Sequence, residues 1–174
     1  MRTLTEQLAQ YAEYHRDKRN IASHFVGIPM ILVAVAILLS RPQWSLLGLV
    51  VTPALLVSIA AAVYYLKLDR RFGLAMAVVL ALCLWVGYPL GAASTGQWLG
   101  WGVGLFVVGW IIQFIGHVYE RRKPAFVDDL IGLAIGPLFV VAEAAFLLGL
   151  RPEVQAAVEQ IAGPTVIKSA ASQH

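Results

Sequence analysis

The chain has 174 residues, 59% of them hydrophobic and only 13% charged, with a formal net charge of +3. A soluble domain carries about 25% charged residues. This composition therefore excludes an ordinary water-soluble globule and fits an all-α, polytopic membrane helix bundle. The single cysteine, Cys83, excludes an intramolecular disulfide and any multi-cysteine zinc or iron–sulfur site.

Residues 3–19 read as an amphipathic helix. Thr3 and Glu6 have the spacing of a capping box. Leu4, Leu8, Tyr11 and His15 fall on one helical stripe, opposite Glu6, Glu13, Arg16 and Asp17. Roughly twenty mixed residues precede the first apolar run and no small-residue cleavage site follows it, so no cleavable signal peptide is expected. Apolar spans are expected at about 23–40, 44–66, 72–92, 97–117 and 130–150. The first is short and holds Pro29; each of the others has about the twenty residues that a 30 Å hydrocarbon core requires. Pro53, Pro89 and Pro137 lie in or near spans, where membrane helices tolerate them. Trp44, Trp98 and Trp101 lie near span ends.

With about five crossings, Arg2, Arg16, Lys18, Arg19, Lys67, Arg70, Arg71, Arg121, Arg122 and Lys123 share one side. Arg41, Arg151 and Lys168 take the other. This asymmetry predicts an integral, multi-pass protein with a cytoplasmic N-terminus and a C-terminus outside, in the inner membrane of a bacterium or the endoplasmic reticulum of a eukaryote. His15 and His24 then stand at the start of the first span and His117 at the end of the fourth, at one interface. His174, the last residue, falls outside this set.

Asn20 and His24 are four residues apart, as are Gln113 and His117; Glu120 follows His117 by three. Each set shares a helix face if its helix extends that far. Asp128 and Asp129 follow on the same side. Imidazoles with carboxylates and open positions suit a non-haem Fe(II) oxygenase, and zinc accepts the same donors. The spacing matches no standard metal signature, so an alternative stands: these residues cap helix ends and bind lipid headgroups. Four histidines are too few for a membrane di-iron hydroxylase or desaturase. Glu143 lies within the last span, about 21 Å from Asp129 along a helix rising 1.5 Å per residue, too deep to join the interfacial histidines easily. Gly100-x-x-x-Gly104 has the spacing of a close-packing motif. Arg121-Arg122-Lys123 suits a fatty carboxylate or anionic lipid, or serves only as a topology signal.

At these residues the sequence resembles the DUF962, or Mpo1-like, family of 2-hydroxy fatty acid dioxygenases. The matching pieces are Tyr14-His15 with Asn20, His24, Gly27 and Pro29; Gly109 through His117 with Glu120 and Pro124-Ala125; and Asp128 through Gly136-Pro137 to Glu143. The resemblance covers about residues 11–150, so 1–150 is read as the membrane domain and 151–174 as a loosely packed tail. It implies an Fe(II)-dependent enzyme of fatty acid α-oxidation, with His15, His24 and His117 as metal ligands; from their placement beside these histidines, Asp128 is read as a further ligand and Asn20, Gln113 and Glu120 as catalytic residues. A 2-hydroxy acid can bind iron through its carboxylate and hydroxyl, with the acyl tail left among the helices. The implied partners are the 2-hydroxy fatty acid, O2 and membrane lipids, with no nucleic acid; no motif speaks to oligomeric state. Two other readings remain: a haem protein with His24 and His117 as axial ligands, and a non-enzymatic lipid-binding protein.

Overall fold

The computed structural model describes residues 2–122, 124 and 131–168. The described residues are predominantly helical. In chain order they form α1 (Leu4–Ala12), α2 (Lys18–Leu38), β1 (Trp44–Leu46), β2 (Leu49–Val51), α3 (Pro53–Leu68), α4 (Arg70–Ala92), α5 (Thr95–Glu120), α6 (Gly132–Leu147) and α7 (Pro152–Ala162). Lys123, Asp128, Asp129 and His174 lie outside the described residues. Two compact units divide the chain: Pro29–Trp110, and Met1–Ile28 with Ile111–His174.

In the Pro29–Trp110 unit, the expected second span opens with a hairpin instead of a helix. β1 and β2 pair antiparallel, with Trp44 opposite Val51 and Leu46 opposite Leu49. The two turn residues, Leu47 and Gly48, both have positive φ, as a tight primed turn demands. Thr52 then caps α3 by accepting from the Leu55 amide, and Pro53 occupies its first position. Asp69 ends α3 and caps α4 through the Phe72 amide, so the two helices form a tight hairpin. A Cβ on Gly73 would stand 2.6 Å from the Leu66 backbone, which shows how closely they pack. Leu74, Val78, Leu82 and Trp85 follow one another at helical spacing along α4 and are exposed. In water such a stripe would be a liability; against lipid it is a solvent-matched surface.

Three described helices are long and apolar enough to cross a membrane, namely α2, α4 and α5. A fourth is reached if α6 and α7, bent by 117°, count as one span. The remaining apolar helix, α3, is shorter, with 16 residues.

The other unit differs from the sequence reading in three places. The amphipathic helix stops at Ala12, where it was expected to run to residue 19. Its capping box is present, with Thr3 and Glu6 bonded reciprocally. Asp17 restarts the chain as a helix by accepting from the Arg19 amide at 2.9 Å. The first span consequently starts at Lys18 and has 21 residues. Second, residues 151–168 are packed and include a helix. α7 lies against α1, and Val166 pairs with the turn before α2 through Val166 N–H to Arg16 O and Lys18 N–H to Val166 O, both 2.8 Å. Third, the last apolar run turns back on itself at the 117° bend between α6 and α7, and residue 166 pairs with residues 16–18.

Gly100 and Gly104 have open space where a Cβ would stand, so among the described residues nothing packs closely at either. In the unit that holds His15, a close approach falls at Gly116, where a Cβ would meet the Ser23 hydroxyl and stand 2.6 Å from Asn20 Oδ1. Gly116→Val is expected to force α5 off α2, costing roughly 1–3 kcal/mol of overpacking. Thermal unfolding in detergent should show a lowered Tm for Gly116→Val and an unchanged or raised one for Gly104→Val.

Candidate metal centre

His15, His24 and His117 converge. Each offers a ring nitrogen, and the three atoms lie within 4.8 Å of one another. The residues are 0%, 2% and 7% exposed. Three elements deliver them. His15 stands in the turn between α1 and α2, His24 lies on α2 one turn beyond Asn20, and His117 lies near the end of α5. The break after Ala12 matters here, because a continuous helix would carry His15 along its own axis.

Hydrogen bonds set the tautomers. His15 Nδ1 lies 2.7 Å from the Tyr11 carbonyl, and His24 Nδ1 lies 2.9 Å from the Asn20 carbonyl. A carbonyl only accepts, so both Nδ1 atoms carry the proton and both Nε2 atoms keep a lone pair. This is how ligating histidines are oriented at metal sites. His15 Nε2 and His117 Nδ1 are buried and have no hydrogen-bond partner. Burial, reinforced by the neighbouring His24, holds the His15 imidazole neutral well below its ordinary titration range.

The rings are packed edge to face. His15 stacks on Tyr11 at 4.1 Å with the planes 5° apart. Its centroid is 4.4 Å from His24 and 5.0 Å from His117; His24 and His117 are 5.3 Å apart. Phe139 of α6 closes the cluster, 5.5 Å from His15. A metal bound at about 2.1 Å by three such nitrogens would hold them roughly 3.4 Å apart in tetrahedral geometry, so modest side-chain rotation suffices. The donor set and its orphaned lone pairs therefore fit a small metal ion. They do not fit a porphyrin between His24 and His117, because the two rings stand too close and His15 occupies the space beside them.

Asn20, Gln113 and Glu120 are all buried. The Gln113 amide has no partner on either atom, and Asn20 Oδ1 has none. The Glu120 carboxylate is instead fully engaged. It accepts from the Asp17 amide at 2.9 Å, from Asn20 Nδ2 at 3.0 Å and from Lys168 Nζ. Asp17 is completely buried, accepts four donors from Arg19 and Lys168, and is held down at about 2, chiefly by the Arg19 guanidinium. Asp128, expected as a ligand, lies outside the described residues. Of the basic run, Arg122 donates to the Glu13 carbonyl at 2.8 Å and so braces the same turn.

Sequence reasoning missed Arg16, Phe139, Gly116 and Lys168. The Glu143 carboxylate lies 3.9 Å from the guanidinium of Arg16, the residue after His15, and its helix α6 packs against α1. Arg16 also donates to the Ala12 and Gly163 carbonyls. A usable signal existed in the crowding of Arg16 and Asp17 beside a histidine on an apolar stripe. Nothing local marks Lys168.

Comparison with known proteins points the same way. A family model described as 2-hydroxy-palmitic acid dioxygenase Mpo1-like matches residues 1–148. The chain is 33% identical to "2-hydroxy-palmitic acid dioxygenase MPO1" of Saccharomyces cerevisiae over 159 residues, which is 90% of this chain and 87% of the yeast protein. No solved structure matches it. On the extent of the first match and the identity of the second, this chain belongs to the Mpo1-like family.

Proposed function

We propose that the protein is an Fe(II)-dependent dioxygenase of fatty acid α-oxidation, housed in a membrane domain spanning residues 1–150, with its N-terminus in the cytoplasm. It converts a 2-hydroxy fatty acid and O2 to the acid one carbon shorter, CO2 and water. The observation that carries this reading is the buried cluster of three imidazoles, each offering a ring nitrogen within 4.8 Å of the others, with no hydrogen-bond partner for His15 Nε2 or His117 Nδ1. Family membership supports the reaction class, since the yeast relative bears the name of a 2-hydroxy-palmitic acid dioxygenase.

The stoichiometry suits a site with no second cofactor. R–CH(OH)–COOH and O2 balance R–COOH, CO2 and H2O in atoms and electrons, so the substrate itself supplies all four electrons that O2 accepts. Iron held by His15, His24 and His117 supplies the redox chemistry that couples O2 to cleavage of the C1–C2 bond. The protein's own groups do the rest. Tyr11 and Asn20 carbonyls fix the His15 and His24 rings. The unpaired Gln113 amide and Asn20 Oδ1 offer a donor and acceptors for the substrate's hydroxyl and carboxylate. Phe139 and the surrounding apolar side chains keep bulk water from the reacting carbon. The acyl chain stays among apolar helices, which spares the cost of drawing it into water.

Two measurements test this. Detergent-purified protein given 2-hydroxypalmitate, O2 and Fe(II) should release pentadecanoate, read by mass spectrometry, and a chelator should abolish the product. Product formed equally well without metal would defeat the iron assignment; a chain that binds the lipid but never turns it over is a lipid-binding protein. Separately, His24→Ala and His117→Ala should each reduce bound iron from about one per chain to background and remove turnover together with it. Retention of both by either variant would strike that histidine from the ligand set.

A further inference from the structure

One segment bonded to the turn that carries His15 lies outside the residues matched by the family model. Gly163–Lys168 crosses the turn that carries His15. Gly163, with positive φ, redirects the chain at the end of α7, and its carbonyl accepts from Arg16 Nη1 at 2.6 Å. Val166 pairs in parallel with Asp17. The Lys168 amide donates to Asp17 Oδ2 at 2.9 Å, and its carbonyl accepts from Arg19 at 2.8 Å. Finally, Lys168 Nζ pairs with Glu120.

Glu120 is the reason this matters. Its carboxylate is 1% exposed and sits three residues after His117 on α5. Through Oε2 it holds the Asp17 amide and Asn20 Nδ2, and so locks the His15 turn and the start of α2 onto α5. A buried carboxylate with no cation is costly. Among the described residues, Lys168 forms the ion pair to it that lies within bonding range.

We infer that Lys168 and Glu120 are positioning residues, and that the 163–168 segment is a strap that holds the three histidines in register. The inference rests on the reading of that cluster as a metal site. Lys168 supplies charge to Glu120; Glu120 supplies geometry to His15, His24 and His117.

The test uses the full chain in detergent and two readouts. One is the dissociation constant of Co(II), followed by its visible absorption. The other is amide hydrogen exchange over residues 13–19 without metal. Lys168→Met should weaken Co(II) by about 10–100-fold, the range for loss of an outer-shell partner, and speed exchange over 13–19. Lys168→Arg should keep both near the parent values. Glu120→Gln combined with Lys168→Met should recover most of each loss, because the glutamine oxygen still accepts from Asp17 and Asn20 while no charge is left unpaired. A merely structural lysine would show no such rescue. Unchanged exchange in Lys168→Met, or a double variant no better than Lys168→Met, overturns the inference. A parent chain that takes up no Co(II) removes the metal reading, and the exchange data then decide the strap alone.

Discussion

A carboxylate taken out of water must be paid for locally, and the buried Glu120 is where this protein does so. Its oxygens accept from a turn amide, from a side-chain amide at the start of α2 and from a lysine near the end of the described chain. Removing one partner from such a group leaves the others around an uncompensated charge, which costs several kcal/mol. The three segments are therefore cooperative. The histidines ride on them: His15 two residues before Asp17, His24 one turn after Asn20, His117 one turn before Glu120. Their convergence follows from the satisfaction of a neighbouring charge.

Around that satisfied network lies a set of unsatisfied atoms. His15 Nε2, His117 Nδ1, the Gln113 amide, Asn20 Oδ1 and Arg16 Nη2 are all buried without a hydrogen-bond partner. Each such group costs about 1–3 kcal/mol, and native proteins keep few of them. The proposed site for an ion and a polar head draws on these atoms. The Glu120 and Asp17 carboxylates are saturated by protein donors and the histidines are not, so the division between scaffold and site is visible atom by atom.

The Pro29–Trp110 unit shows a different economy. Its α3–α4 hairpin is sealed backbone to backbone at Gly73, and α4 presents a long apolar stripe outward. Few polar side chains need partners there. The exceptions cluster at the ends of helices, where Arg41 donates to the Gly91 and Ala93 carbonyls and Trp98 Nε1 donates to Ile37 O at 2.8 Å. In lipid, orphaned helix-end carbonyls find no water, so side chains serve them.

The sequence by itself determined whatever depends on local period and composition. The membrane class, the all-helical bundle, the capping box at Thr3 and the helix faces shared by Asn20 with His24 and by Gln113, His117 and Glu120 were all legible, because each rests on residues a few positions apart. The grouping of the three histidines was legible too, from which ends of the apolar runs carry them. Tertiary structure alone decided the rest. The break after Ala12 depends on Asp17 finding donors in Arg19 and Lys168. The return of the tail depends on the bend between α6 and α7. The pairing of Arg16 with Gly163 joins residues 147 positions apart, and that of Glu120 with Asp17 joins residues 103 apart. No periodicity encodes contacts of that range; they exist only once burial has made an unpaired charge too costly to leave alone.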